Sequence, residues 1–449
     1  MVIGGGASGV LAAVQLLSRP QVEKVVLFER GDLAAGIAYG TEHPGHLLNV
    51  RAERMSAFPD QPSHFKDWIG HVDRWKPEGG WTGHSYVPRR LYRDYLQSLI
   101  APFLNTPRFE WVRSDVATLD EDGASVSAVT KDGERYTAEA AILATGNEAP
   151  SLPDVPWRHV GWSNAPIPSL SDDAPIAIVG TGLSMVDAVV SLLDRGHKGP
   201  ITAISRRGLL PQPHRSVEPL ELDAADVPKQ TDLIGMVRWL RKRVLQKQAE
   251  GFDWRGVVDS LRPHTQALWQ GLSDKDHQRF LRHVRPFWDV HRHRMAPQIY
   301  ARLAAAQADG QLRIISARVA AVEGSSEGAV VTIEKRGTHQ EQRIEARLVI
   351  ECRGASGDLA RTHNPLLAEL RDAGILHRDP LGLGIHVTPE GATIRGDGSV
   401  SDRLFAVGPI TAGCFWEIIA IPDIRGQVAD LAQRLAGDAQ PMDGACPDG

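Results

Sequence analysis

Short apolar runs that enter glycine turns, followed by stretches of helical periodicity, set the rhythm of this chain. Val2-Ile3 leads into Gly4-Gly5-Gly6-Ala7-Ser8-Gly9, after which Val10, Leu11, Val14 and Leu17 recur at helical spacing. Beyond Pro20, Val25-Val26-Leu27-Phe28 predicts a second strand, closed by Glu29. The same order returns later. Ile176-Ala177-Ile178-Val179 enters Gly180-Thr181-Gly182-Leu183-Ser184-Met185, with Leu183, Val186, Val190 and Leu193 on one helical face, and a strand over Ile201 to Ile204 closes in Ser205-Arg206-Arg207. Each copy continues into alternating strands. The first runs from Phe109 through Asp-Gly turns at 122–123 and 132–133 to Ala141-Ile142-Leu143-Ala144-Thr145-Gly146, and the second from Leu312 to Leu348-Val349-Ile350-Glu351-Cys352-Arg353-Gly354. Both predict a β-meander, a last strand and a glycine turn.

The repeat predicts an α/β fold with two Rossmann-like dinucleotide-binding domains on the glutathione-reductase-like plan, with β-meanders and a helical insertion in the second. The first domain is expected over 1–165 and 356–449, and the second over 172–355, with the insertion at about 228–306. The opening strand is short, which suggests that the chain's true start lies upstream.

Each glycine in the first turn has a physical task. Gly4 permits the tight turn, Gly6 lets the backbone approach a pyrophosphate, and Gly9 lets the helix pack closely on the strand. Ser8 stands in the first helical turn, whose N–H groups face the phosphates, and Glu29 can accept hydrogen bonds from ribose hydroxyls. In the second copy Gly180 and Gly182 keep the phosphate turn, with Ser184 beside them, but Met185 replaces the third glycine. The strand ends differ as well. Glu29 would repel a 2′-phosphate, whereas Arg206 and Arg207 suit one, so the second site reads as NADPH rather than NADH. The plainer alternative is two solvated arginines on a strand end.

Composition narrows the classes. Fifty basic against 55 acidic side chains, a net of −5, exclude a strongly cationic nucleic-acid coat. At 42% hydrophobic and 23% charged, the chain has the make-up of a soluble globular enzyme. Cys352, Cys414 and Cys446 form no C-x-x-C, so neither a dithiol centre nor a cysteine zinc site is expected, and a reducing, cytoplasmic setting is favoured. Met1 to Ser18 lacks formal side-chain charge, yet the missing basic start and the interrupting glycines argue against a targeting or spanning segment. The basic run Arg238-Trp239-Leu240-Arg241-Lys242-Arg243 reads as a solvated helix face rather than a membrane or nucleic-acid patch. His291-Arg292-His293-Arg294 lacks a third ligand nearby and its arginines oppose a cation, so no metal is expected.

Several further motifs carry a resemblance. Gly36-Ile37-Ala38-Tyr39-Gly40-Thr41, His46-Leu47-Leu48-Asn49-Val50-Arg51-Ala52, Met55-Ser56-Ala57-Phe58-Pro59-Asp60 and Val87-Pro88-Arg89-Arg90-Leu91-Tyr92 resemble the bacterial FAD/NAD(P)-binding protein family related to YdhS. So do Gly180 to Asp187, Ser205 to Pro213, Val407-Gly408-Pro409 and Phe415-Trp416-Glu417, so the match spans nearly the whole chain. The resemblance implies FAD in the first domain and NADPH in the second. More distantly the plan is similar to flavin N-hydroxylating monooxygenases, and one branch of the family N-oxygenates aspartate. It also implies that Thr145 and Gly146 close the FAD site beside Gly4 and Gly6, that Gly408 returns to it, and that Asn49 faces the isoalloxazine ring. Asn49 as a loop-capping amide is the alternative; Glu417 is either a pocket acid or a helix N-terminal charge. Two departures stand out. Cys352-Arg353-Gly354-Ala355 occupies the place of Cys-Thr-Gly-Pro, and the stretch around Pro153, His159 and Trp162 lacks the F-x-G-x-x-x-H order of Baeyer–Villiger enzymes, so ketone oxygenation is not implied.

The expected activity is therefore NADPH-dependent reduction of FAD, then oxygenation of a small nucleophilic, amine-type substrate by a flavin C4a-hydroperoxide formed with molecular oxygen. Two rivals stay open: a reductase or oxidase that passes electrons to a quinone or other acceptor, and a redox-sensing module with FAD as ligand. A small-molecule substrate and molecular oxygen are the expected partners, with no nucleic acid and no membrane insertion; the oligomeric state stays open.

Overall fold

Val2 pairs with Leu27 on one side and Ile142 on the other, all parallel, and this triplet is the centre of the first sheet. The computed structural model describes residues 1–161, 164–228 and 232–437. Strands β1 (Val2–Ile3), β2 (Val25–Phe28), β3 (Phe109–Val112), β4 (Val116–Glu121), β5 (Val126–Thr130), β6 (Arg135–Ala138) and β7 (Ala141–Leu143) come from the first copy. The second supplies β8 (Arg158–Val160), β9 (Ile176–Val179), β10 (Ile201–Ser205), β11 (Leu312–Ser325), β12 (Gly328–Lys335), β13 (Glu341–Ala346) and β14 (Leu348–Glu351). The chain then returns with β15 (Ala392–Ile394) and β16 (Val400–Ala406). The sheets are ordered β15-β16-β7-β1-β2-β3 and β13-β12-β11-β10-β9-β14-β8, with β4-β5-β6 as a separate meander.

Strands β1, β7, β9 and β14 are buried at every residue, as expected of central strands covered on both faces, by helices on one and by the meander strands on the other. On the first sheet the helix Ala7–Leu17 packs against the helices Arg89–Ile100 and Ile421–Leu435, burying Leu11, Leu17, Tyr92, Tyr95 and Leu431 together. The C-terminal return is a true sheet partner: Leu404 pairs in parallel with Ala141.

The two meanders solve one connection differently. In the first copy the chain breaks between β3 and β4, and the meander forms its own sheet. In the second, β11 is a single 14-residue strand that pairs in parallel with β10 and then antiparallel with β12, with an irregularity between Val319 and Ala321.

Two sequence expectations need correction. Arg158–Val160 pairs with Val349–Glu351 in the second sheet, so the chain crosses over before residue 158 and not near 165. The insertion also ends earlier than 306. Met295 and Ala296 already sit in the second core, and Pro297–Ala308 packs on the helix Leu183–Asp194 as the regular crossover helix. Met185, in the place of the third glycine, has its side chain fully buried in that core. The insertion proper comprises the helices Leu233–Ala249, Trp254–Ser260, Thr265–Gln270 and Asp274–Arg279, a π-helical stretch at Phe280–Val284, and Arg285–Arg292. Among the described residues no helix is long and apolar enough to cross a membrane.

Candidate functional site

The first glycine loop is tightly determined. Gly4 has φ +103°, and a Cβ there would lie 2.6 Å from the carbonyl oxygen of Ala144. A Cβ on Gly9 would fall 1.8 Å from the carbonyl oxygen of Gly4, so helix and strand meet there backbone to backbone. Gly6 differs: a Cβ on it would meet nothing closer than the Gly36 Cα at 3.9 Å. The space over Gly6 is open, at the N-terminus of a helix capped by no side chain, which is where a pyrophosphate would draw on free N–H donors. Glu29 reaches over the loop, its Oε2 accepting from Gly5 N–H and its Oε1 from Gly31 N–H, both at 2.9 Å.

Thr145, Gly146 and Gly408 of the expected FAD set return to this loop. Ala144 follows β7, and beyond it the hydroxyl of Thr145 is buried without a hydrogen-bond partner. Gly146 (φ +67°) has open space where its Cβ would be. Gly408 (φ +76°) arrives from β16, and a Cβ there would lie 2.4 Å from Ser8 Oγ. Its N–H donates to Gln427 Oε1 at 2.7 Å, and Gln427 Nε2 donates to Thr411 Oγ1. An orphaned hydroxyl, an open glycine cradle and an uncapped helix end together fit a dinucleotide with a diphosphate.

The second loop repeats the first at Gly180, whose φ is +115° and whose Cβ would lie 2.5 Å from the Cys352 carbonyl oxygen. Gly182 stands open, with nothing within 4 Å of a Cβ, and again precedes a helix without a side-chain cap, with Ser184 in its first turn. The arginines divide. Arg206 is exposed, whereas Arg207 donates to the carbonyl oxygens of His283 (3.0 Å) and Arg282 (3.2 Å) and lies over the Phe287 ring. Arg207 therefore ties the nucleotide strand to the π-helical stretch of the insertion.

Asn49 lies where the two domains meet. His214 Nε2–H donates to its carbonyl oxygen at 2.9 Å, while Arg51 Nη2 reaches Ser216 Oγ at 3.4 Å. Burial, and next the neighbouring Arg294 charge, push the His214 imidazole down to about 4, so it is neutral. Arg294 is itself buried and paired with Asp259. Glu417 is not at a helix N-terminus. It is buried, with φ +66°, and accepts from Trp288 Nε1–H and from Arg292 Nε–H. His291, by contrast, packs edge-on against the Trp254 ring.

Sequence reasoning missed Gln427, His214 and Arg294. Nothing local marks them, because their partners lie far along the chain. It also missed an apolar cavity in the insertion, lined by Trp239, Trp269, Trp288 and, from the C-terminal segment, Trp416. The basic run of 238–243 divides accordingly: Trp239 and Leu240 face this cavity while Arg238, Arg241 and Lys242 are exposed.

Residues 1–148 match the model of a family described as FAD-NAD(P)-binding. Across the whole chain the fold is that of flavoprotein oxidoreductases with two dinucleotide-binding domains. It is similar to an ornithine N-hydroxylase of Kutzneria sp. 744, solved with reduced FAD, NADP+ and L-ornithine, at 14% identity over 97% of this chain and 98% of that one (TM-score 0.65). The L-lysine 6-monooxygenase of Pseudomonas syringae is similar at 15% identity over 98% and 99% (TM-score 0.64). A bacillithiol disulfide reductase of Bacillus cereus shares the plan at 16% identity over 98% of each chain (TM-score 0.54).

Proposed function

We propose that this chain is an FAD-dependent oxidoreductase that draws on NADPH, and that it is a monooxygenase acting on a small nucleophilic, amine-type substrate. FAD would be held by Gly4, Gly6, Ser8, Gly9, Glu29, Thr145, Gly146 and Gly408, and NADPH by Gly180, Gly182, Ser184, Arg206 and Arg207. When bound, FAD would supply the redox chemistry: hydride acceptance from NADPH and reactivity towards oxygen. The chain's own part is orientation and exclusion of water. Asn49 stands at the domain junction, its backbone fixed by His214, where its amide can face the ring. Glu417 acts as a positioning residue that locks the insertion onto the segment returning to the first loop.

One observation supports the first of the two activities found among the structural neighbours. Disulfide reduction needs an accessible thiolate. Cys352 is buried, and burial pushes its thiol far up; Cys414 is half-buried and pushed up to about 11. Cys446 lies outside the described residues. Burial of these two thiols disfavours a thiolate near neutral pH and so supports oxygenation over disulfide reduction.

The test is product analysis on the purified holoenzyme with NADPH, labelled oxygen gas and a panel of amines. Incorporation of one labelled oxygen atom into an amine in step with NADPH consumption is expected. Electron delivery to a quinone, or peroxide as the sole oxygen product with every amine, would overturn the proposal.

A further inference from the structure

The helical insertion holds a partly open cavity of about 80 Å³ whose wall is apolar apart from Thr265. All the lining residues belong to the insertion except Trp416, which the C-terminal segment contributes. Three features set this cavity apart from an ordinary helical core. First, part of its apolar wall stays open. Leu233, Leu261, Trp269 and Trp416 are buried, whereas Trp239, Leu240, Leu268 and Trp288 are only partly so. The helix Leu233–Ala249 buries Leu233 alone of its 17 residues. Apolar surface left open in this way is unfavourable by roughly 25 cal/mol per Å², and a ligand of matching character removes it from water.

Second, Trp416, which lines the cavity, carries an unused donor. It is 7% exposed, stacked on Trp269 with ring centroids 4.6 Å apart and met edge-on by Phe280, yet its Nε1–H is buried without an acceptor. Third, the cavity is tied to the flavin-side segment. Trp269 Nε1–H donates to the Gly413 carbonyl oxygen at 2.8 Å, and Gln266 Nε2 donates to that of Trp416. This segment begins at Gly408, against Ser8 of the first loop.

We infer that the cavity holds the body of the substrate, and that this body is aromatic or branched-aliphatic and carries one hydrogen-bond acceptor for Trp416 Nε1–H. The inference rests on the monooxygenase reading and names its substrate class: apolar amines, with the reacting end outside the apolar wall. A short amino acid charged at both ends finds no counter-charge there, and burying such charge unpaired is costly. This separates the chain from the ornithine and lysine enzymes that share its fold.

Binding is the direct test, read by tryptophan fluorescence of the holoenzyme, since four of the chain's 11 tryptophans line the cavity. Phenethylamine and its para-methoxy derivative are expected to bind at least about tenfold more tightly than L-ornithine or L-aspartate, the equivalent of roughly 1.4 kcal/mol. Leu268→Trp, which fills the cavity, should weaken both amines by a similar factor, while the volume-conserving Leu268→Met should retain them and report on folding. Trp416→Phe should weaken the methoxy derivative about fivefold and spare phenethylamine, as loss of one hydrogen bond demands. Amines binding no tighter than ornithine, or undiminished in Leu268→Trp, would overturn the inference. Tight binding without any oxygenated product would leave the pocket standing and remove the monooxygenase reading instead.

Discussion

Arg292 donates from Nε to Glu417 Oε2 at 3.1 Å, a buried ion pair that joins the helical insertion to the C-terminal segment. The side chains are 12% and 5% exposed, so neither charge can turn to water if the other is removed. Glu417 also holds a left-handed backbone, which only the surrounding contacts make tolerable for a residue with a Cβ. Breaking one half of a buried pair typically costs about 3–5 kcal/mol. Glu417→Gln should therefore lower thermal stability by several degrees, even though the amide oxygen can still accept from Trp288. Differential scanning calorimetry checks this. An unchanged melting temperature combined with a hundredfold loss of turnover would instead make Glu417 a proton-transfer group.

The two classes of glycine in the first loop should separate folding from binding. Gly6→Ala adds a methyl group into open space, so the apoprotein should melt within about a degree of the wild type while flavin affinity falls at least tenfold. Gly9→Ala forces a methyl group onto the Gly4 carbonyl oxygen and should cost roughly 3 kcal/mol or more in the apoprotein itself. Urea unfolding and flavin fluorescence, measured on both variants, distinguish the effects. Equal stability losses at both positions would argue against an open cradle over Gly6.

Arg206 and Arg207 should behave unequally, although sequence alone treats them as a pair. Exposed Arg206 is available to a 2′-phosphate, and a charge-assisted bond of about 1.5–3 kcal/mol makes Arg206→Ala at least tenfold worse for NADPH with NADH unaffected. Arg207→Ala should also reduce stability, because the Arg282 and His283 carbonyl groups lose their donor. Steady-state KM values for the two nucleotides and a melting curve suffice. Parallel losses for NADPH and NADH in Arg206→Ala would remove the phosphate role.

What was legible in the sequence was local. Gly4 and Gly180 announce themselves because a strand feeding a positive φ leaves few alternatives to glycine, and both turns lie where the apolar pattern places them. What was illegible depends on distant partners. Nothing near Arg158 says that it will pair with Val349, and nothing near Met295 says that it will join the second core rather than the insertion. Glu417 reads as a lone acid until Arg292, 125 residues earlier, is folded against it.

The junction beside Asn49 should be sensitive to acid. Burial first, and then the charge of Arg294, hold the His214 imidazole at about 4 in the folded chain, against about 6.5 when it is exposed. Because the folded-state value is the lower one, the unfolded chain takes up the proton more readily throughout the interval between them. Above pH 6.5 neither state is protonated and the full stability is present. As pH falls from 6.5 towards 4, stability declines by up to about 1.4 kcal/mol per pH unit from this residue, and below 4 the contribution levels off. His214→Gln keeps a donor for the Asn49 carbonyl oxygen but removes the titration. Urea unfolding of both proteins at pH 7, 6 and 5 should show the wild type losing stability more steeply, and the difference cancels the carboxylates and other histidines that the two proteins share. Parallel curves would mean that His214 is hydrated, and that the domain junction around Asn49 is open to solvent rather than closed over it.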